Sequence, residues 1–253
     1  MPLREIGRDA TLRDATLRFE MQRALGVALR SPLHARSKGV RRLNSNADMA
    51  TYSDRTRILV VAATARELAP AEGWLTLQCG VGPVEAAATT AVKIALHHPA
   101  IILHVGIGGA RRLRELPFAS LVIGDEARYC DVNPDSKWAP RVVVPSPILL
   151  AAARRALPLA AVLPIGTSGR VGGMADHDAD VDVEAMEGFG VLRAAQLAGI
   201  PAIEVRAISN DIEQLDRARW HFDAAFAAIT AATPLLVAAL LESLPELSVE
   251  GHA

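Results

Sequence analysis

The chain has 253 residues, of which 51% are hydrophobic and 22% charged. That allows one large domain or two small ones with a sizeable core, and it excludes disorder of the whole chain. The formal net charge is −1, split as +5 over residues 1–48 and −6 over the rest, so the larger part is mildly acidic and a poor partner for nucleic acid.

No apolar run is expected to reach the ~20 residues that span a bilayer, so no membrane partner is expected. Cys79 and Cys130 occur without a CxxC pair, which fits a reducing cytoplasm and excludes a zinc ribbon.

Residues 1–56 read as an N-terminal extension. They contain a direct repeat, Arg8-Asp9-Ala10-Thr11-Leu12 followed by Arg13-Asp14-Ala15-Thr16-Leu17. A disordered or partly helical extension and a true start at Met49 are both open. A transit peptide fits poorly, because Glu5, Asp9, Asp14 and Glu20 are acidic.

From residue 57 strands and helices alternate. Ile58–Ala63 is a continuous apolar run, the mark of a buried strand. Leu75–Cys79 is a shorter strand. Pro83–His98 is predicted helical, with proline in its first turn and Pro99 ending it. Ala100–Val105 and Leu121–Tyr129 are strands, Ser146–Ala156 a helix and Ala161–Thr167 a strand. Val183–Ala198 is predicted as one helix, Ala202–Ile208 as a strand, and Arg217–Leu244 as a long helix with a kink or break at Pro234. The order predicts a single α/β domain over 57–246, with a central, mostly parallel mixed sheet flanked by helices, and a tail at 247–253.

Ligands of such sheets sit where strands end, and four segments stand out there. Glu67 follows the first strand, where a carboxylate could activate a water; an exposed acid in a helix's first turn is the competing reading. The run Gly106-Ile107-Gly108-Gly109 is read as a loop that lets a ligand approach backbone N–H groups, or as a tight turn. Glu184 and Glu187, three apart, are expected on one helix face, where a carboxylate could bind vicinal sugar hydroxyls. Asn210 leaves the last strand with an amide that suits a purine edge. The group Asp176-His177-Asp178 is read as a polar loop, and Trp74, Trp138 and Trp220 as packing residues; no metal or cofactor is expected.

In order and spacing these segments resemble the purine nucleoside phosphorylase and nucleosidase superfamily. The resemblance covers about residues 57–243. It rests on Glu67, the Cys79-Gly80-Val81-Gly82-Pro83 turn, the Gly106–Gly109 run, Gly124–Tyr129, Met186-Glu187 and Arg206-Ala207-Ile208-Ser209. It is strongest to the methylthioadenosine/S-adenosylhomocysteine nucleosidase and futalosine hydrolase families. His104 and Ile107 stand where similar phosphorylases carry phosphate-binding Arg and Ser, which implies water as nucleophile. Asn210 replaces the Asp of the methylthioadenosine enzymes. Together with Val183–Gly188, Asp216-Arg217 and Trp220, it is more similar to futalosine hydrolases.

The resemblance implies cleavage of futalosine to hypoxanthine and dehypoxanthine futalosine, a step of menaquinone biosynthesis. Glu67 would activate water, Glu187 would bind ribose hydroxyls over Met186, and Asn210 would hold hypoxanthine. The alternatives are a methylthioadenosine-type nucleosidase and a non-catalytic purine-binding protein. Futalosine's distal benzoate needs a cation, for which Arg111, Arg112 and Arg170 are candidates; Phe189 is a candidate to stack on the purine. A nucleoside partner and a homo-oligomer are expected.

Overall fold

Alternate residues of one strand face opposite ways, so a strand buried on both faces must feed two cores. The computed structural model, which describes residues 57–132, 140–172 and 181–250 with side chains to 247, shows this division. In β1 (Ile58–Ala62), Ile58, Val60 and Ala62 join one core while Leu59 and Val61 join the other. The described residues lie within one compact unit, Ser45–Ala253. The expected extension at 1–56 lies outside the described residues.

The remaining strands are β2 (Leu75–Gln78), β3 (Ile101–Ala110), β4 (Leu121–Tyr129), β5 (Val142–Val143), β6 (Ala161–Thr167), β7 (Val183–Ala185) and β8 (Ala202–Asp211). The helices are α1 (Pro83–His97), α2 (Pro147–Ala156), α3 (Gly188–Leu197), α4 (Phe222–Glu242) and α5 (Leu244–Glu250). The tail expected from residue 247 therefore begins inside α5. The first core packs α2 and α4 on the sheet, the second packs α1 and α3.

The sheet is mixed. Parallel pairs join β1 to β2 and β3, β3 to β8, β4 to β6 and β6 to β7. Antiparallel pairs join β3 to β7, β4 to β5 and β4 to β8. The pairings β3–β8–β4–β6–β7–β3 close on themselves, so part of the sheet is a ring rather than an open layer. Ala110, Val122, Ile165, Val183, Ala185 and Ile208, contributed by those strands, form a third apolar cluster.

Three expectations change here. Val183–Ala198 is not one helix: its first three residues are β7, recruited by Gly109 and Ala110 of β3. β3 and β8 each run past their predicted ends, through the glycine run and through Asn210. α4 runs without a break through Pro234, and it begins at Phe222 because Arg217–Arg219 form a separate short turn.

α4 is also long and apolar enough to cross a membrane by length and composition, with mean hydropathy 2.1, which corrects the expectation that no such run exists. Ala225, Ile229, Ala232, Leu236, Val237 and Leu240 of this helix are buried in the first core, so packing on the sheet explains the apolar character of that face.

α1 and α3 approach closely where a Cβ on Gly190 would lie 2.5 Å from the Pro83 carbonyl oxygen. Gly190→Ala should therefore force the helices apart and cost about 1–3 kcal/mol, as overpacked cores do. Equilibrium denaturation checks this; an unchanged midpoint would mean that the contact yields freely.

Candidate active site

A strand that ends with its last carbonyls spent leaves the following turn to find other partners. After β1, Thr64 supplies them. Its backbone N and its Oγ1 each donate to Glu67 Oε2 at 2.8 Å, closing the tight turn Ala65–Glu67. Oε1 of the same carboxylate accepts from the Ile107 N–H at 3.2 Å. Glu67 is thus a buried, aimed carboxylate, 4% exposed, and not a solvated acid of a helix's first turn.

The glycine run is not a ligand loop or a turn; it is the second half of β3. Its glycines make room for protein groups. A Cβ at Gly106 would overlap the Arg206 guanidinium and lie 2.9 Å from Glu67 Oε1. At Gly108 it would lie 2.9 Å from the Glu184 carbonyl oxygen, and at Gly109 2.8 Å from Asn210 Nδ2. Gly108 and Ile107 line the site's cavity, whereas Gly106 lies beneath Arg206.

That guanidinium is 1% exposed and surrounded by acceptors. Nε donates to Glu204 Oε1 at 2.8 Å, Nη2 to Glu187 Oε2 at 3.4 Å, and Nη1 to the Ile107 carbonyl at 3.4 Å. Nη2 also meets His104 Nε2. His104 Nδ1 lies 3.0 Å from the Val61 carbonyl, so Nδ1 carries the proton and Nε2 accepts from Arg206. Burial, and then the nearby guanidinium, hold the His104 pKa well below its usual value, so the ring is neutral.

Glu187 stands at the N-cap position of α3 with its carboxylate turned away from the helix, and it shares no helix face with Glu184, which lies on β7. Its Oε1 accepts from the Gly82 N–H at 3.2 Å, which ties the Cys79–Pro83 turn to the site. Burial pushes the Glu187 pKa upward against the pull of Arg206 and the Gly82 N–H. Burial likewise raises Glu204, again opposed by Arg206.

Asn210 reaches the site through an irregularity. β8 pairs Ile208 with Gly108 but Asn210 with Gly109, so Ser209 is the extra residue of a bulge. A bulge redirects the side chains that follow it, and both Ser209 and Asn210 line the cavity. Asn210 Nδ2 donates to the Asp211 carbonyl at 2.8 Å, and the Ser209 hydroxyl donates within 2.7 Å of Asn210 Oδ1.

These groups surround a cavity of about 330 Å³. Glu67, Met186, Glu187 and Asn210, singled out in the sequence, all line it. Phe189 does not: it is buried in the second core and stacks on Tyr129 at 5.2 Å. Arg111, Arg112 and Arg170 do not line it either. Arg111 Nε donates to the Val181 carbonyl at 2.8 Å, Arg112 pairs with Asp211 at 3.0 Å, and Arg170 is exposed.

Trp220, expected to be a packing residue, lines the cavity with Phe222, Phe226 and Arg217. Trp74 does pack in the first core; Trp138 and the group at 176–178 lie outside the described residues.

Sequence reasoning also missed Arg206 and Glu204 as site residues. The available signal was two charges spaced two apart on an otherwise apolar strand, which places both on one buried face.

Four similarities to known proteins bear on this arrangement. Residues 73–244 match the family described as the phosphorylase superfamily. A futalosine hydrolase from Streptomyces coelicolor is 34% identical over 193 residues, covering 68% of this chain and 81% of that protein.

Among solved structures, a 5'-methylthioadenosine/S-adenosylhomocysteine nucleosidase from Colwellia psychrerythraea in complex with adenine superposes with a TM-score of 0.64 at 18% identity. It covers 74% of this chain and 95% of its own. A futalosine hydrolase mutant from Helicobacter pylori superposes with a TM-score of 0.61 at 17% identity, covering 75% and 98%. At these identities the structural matches show the fold.

Removing Arg206 would leave Glu187 and Glu204 buried without their cation. Arg206→Met is expected to lose about 3–5 kcal/mol, the cost of orphaning a buried charge. Adding Glu204→Leu should restore part of it. The sign with pH follows from the carboxylates. Their pKa values are raised in the folded state, and further so without Arg206, so protonation favours the fold. The deficit of Arg206→Met is therefore smallest in acid and grows as pH rises above 4.5, the ordinary carboxylate value. Denaturation at several pH values tests this; a pH-independent deficit would contradict it.

Proposed function

The chain belongs to the phosphorylase superfamily, and from that premise we propose that it hydrolyses the N-ribosidic bond of futalosine, releasing hypoxanthine and dehypoxanthine futalosine. One observation carries the choice of water over phosphate. The buried cation nearest the two acids, Arg206, is already engaged through Nε, Nη1 and Nη2 by Glu204, Ile107, Glu187 and His104. An anion is held best by paired free donors of a guanidinium; protein acceptors take all but one of the five Arg206 N–H groups, and neutral His104 and the Ile107 side chain offer none. The relationship to the S. coelicolor futalosine hydrolase supports the substrate.

In this reading water loses a proton to Glu67 as its oxygen bonds to the anomeric carbon. The bond to the purine breaks, and the departing base takes a proton from solvent. Positive charge grows on the ribose, where the Glu67 and Glu187 carboxylates favour it. Glu187 accepts from ribose hydroxyls, and Met186 packs under the sugar. Asn210 gives one N–H to Asp211 and keeps a second for the purine. It has no dissociable proton, so it holds the leaving base by hydrogen bonding and not by acid catalysis.

The same reading includes a homo-oligomer. Val81 on the cavity wall is 55% exposed and Val84 75% exposed, leaving apolar surface beside the site. It also includes a cytoplasmic setting, in keeping with free thiols at Cys79 and Cys130.

Glu67→Gln should lower kcat by about 10²–10⁴-fold, with a stability cost of about 1–3 kcal/mol because the glutamine NH2 must face a backbone N–H in either orientation. Near-normal turnover would remove Glu67 as the base. Incubation without phosphate should release hypoxanthine from futalosine and no adenine from methylthioadenosine, read by chromatography. Adenine release would transfer the chain to the methylthioadenosine reading, and no release even with phosphate would favour a binding protein.

The acid limb of kcat/KM reports groups of the free enzyme. Glu187 must be ionised to accept hydroxyls, and burial raises its pKa above 4.5. Activity should therefore fall on acidification at a pH above 4.5; a limb at or below that value would contradict the role given to Glu187.

A further inference from the structure

Futalosine differs from simple nucleosides in carrying a benzoate at the far end of its ribose. Resting on the reading above, we propose that Arg217 and the aromatic side chains beside it form the subsite for that group, and that Arg217 selects the substrate by its distal carboxylate.

Arg217 is the one Lys or Arg among the described residues that lines the cavity. Most neighbouring arginines are committed: Arg66 to Asp223 at 2.7 Å, Arg112 to Asp211 at 3.0 Å, Arg114 to Asp182 at 2.5 Å and Arg206 to Glu204 at 2.8 Å. Arg217 makes no ion pair among the described residues. Its guanidinium carbon lies 5.7 Å from the centre of the Trp220 ring, a contact that leaves its N–H groups for an acceptor.

The turn that carries it is fixed. Asp216 Oδ1 accepts from the Ala218 N–H at 3.0 Å, the Trp220 N–H donates to the Arg217 carbonyl at 3.2 Å, and Trp220 Nε1 donates to the Gln214 carbonyl at 2.7 Å. The His221 N–H donates to the Ser209 carbonyl at 2.8 Å, which ties the turn to the bulge that presents Asn210. Cation and purine-facing amide are thus held by one short, bonded segment.

Around the cation the wall is aromatic. Trp220 and Phe222 lie 5.3 Å apart between ring centres, and Phe222 and Phe226 6.1 Å, and all three line the cavity. A benzoate asks for both an apolar surface for its ring and a guanidinium for its carboxylate. A charge-assisted pair of this kind contributes about 10–100-fold in affinity.

The test compares futalosine with its methyl ester, which keeps the ring and removes the charge, on the full-length protein and on Arg217→Ala. The unaltered protein should prefer futalosine by about 10–100-fold in kcat/KM. Arg217→Ala should bring the two substrates within about threefold, and Arg217→Lys should retain part of the preference. If Arg217→Ala keeps the full preference while hypoxanthine is still released from futalosine, the subsite is wrong and the hydrolase reading stands. If the unaltered protein releases no hypoxanthine from futalosine, both fail together.

Discussion

The structure is organised around one buried cation. A guanidinium cannot be left inside a protein without partners, because the penalty of removing it from water is several kcal/mol. Arg206 therefore dictates much of what surrounds it. Glu204 lies two residues away on the same face of β8, Glu187 arrives at the start of α3, and His104 is held neutral on β3 with an unprotonated nitrogen turned toward it. Gly106 is glycine because the guanidinium occupies the space of a Cβ. The same cation that fixes Glu187 also separates its surroundings from those of an anion site, since all but one of its five N–H groups already meet protein acceptors.

The ring of strands explains how residues distant in sequence meet at that point. β7 is only three residues long, but it pairs with β3 on one side and β6 on the other. The register places Glu184 opposite Gly109, and Asn210 opposite the same glycine from the other edge. Gly109 is therefore flanked by two polar residues of the cavity wall. A side chain there would displace the Asn210 amide. Local backbone economy at β3 and the bulge at Ser209 together open the space in which a ligand would sit.

Much of this was legible in the sequence. β1, β6 and the first part of β8 follow from apolar runs and β4 from alternation, and their ends agree to within a residue or a few. Glu67, Met186, Glu187 and Asn210 were recognisable from order and spacing. What was not legible depends on tertiary pairing. Glycine content argued for a loop at 106–109, because a sequence cannot show that Arg206, Asn210 and the β7 backbone press on those positions. The segment at 183–187 carries no strand signal of its own, since three residues paired on both edges need no intrinsic preference. The positions of Arg111 and Arg112 were hidden for a similar reason: both sit near the glycine run in sequence, but they lie off the cavity wall, with partners at Val181 and Asp211.

The distribution of charge along the cavity then has a single physical logic. Glu67 and Glu187 are each 4% exposed, deep in the wall, while Arg217 stands on the exposed turn after β8. Two acids near a sugar favour the positive charge that develops as a glycosidic bond breaks. A free cation beside them would cancel that preference, and in a low-dielectric site it would do so strongly. Arg206 escapes the objection because Glu204 and Glu187 neutralise it. Arg217 escapes it by exposure, where solvent screens its field from the acids while a carboxylate brought to it displaces that solvent. An acidic floor and a cationic rim therefore coexist in one cavity, and a ligand that used both would have to carry its developing positive charge at one end and a negative charge at the other.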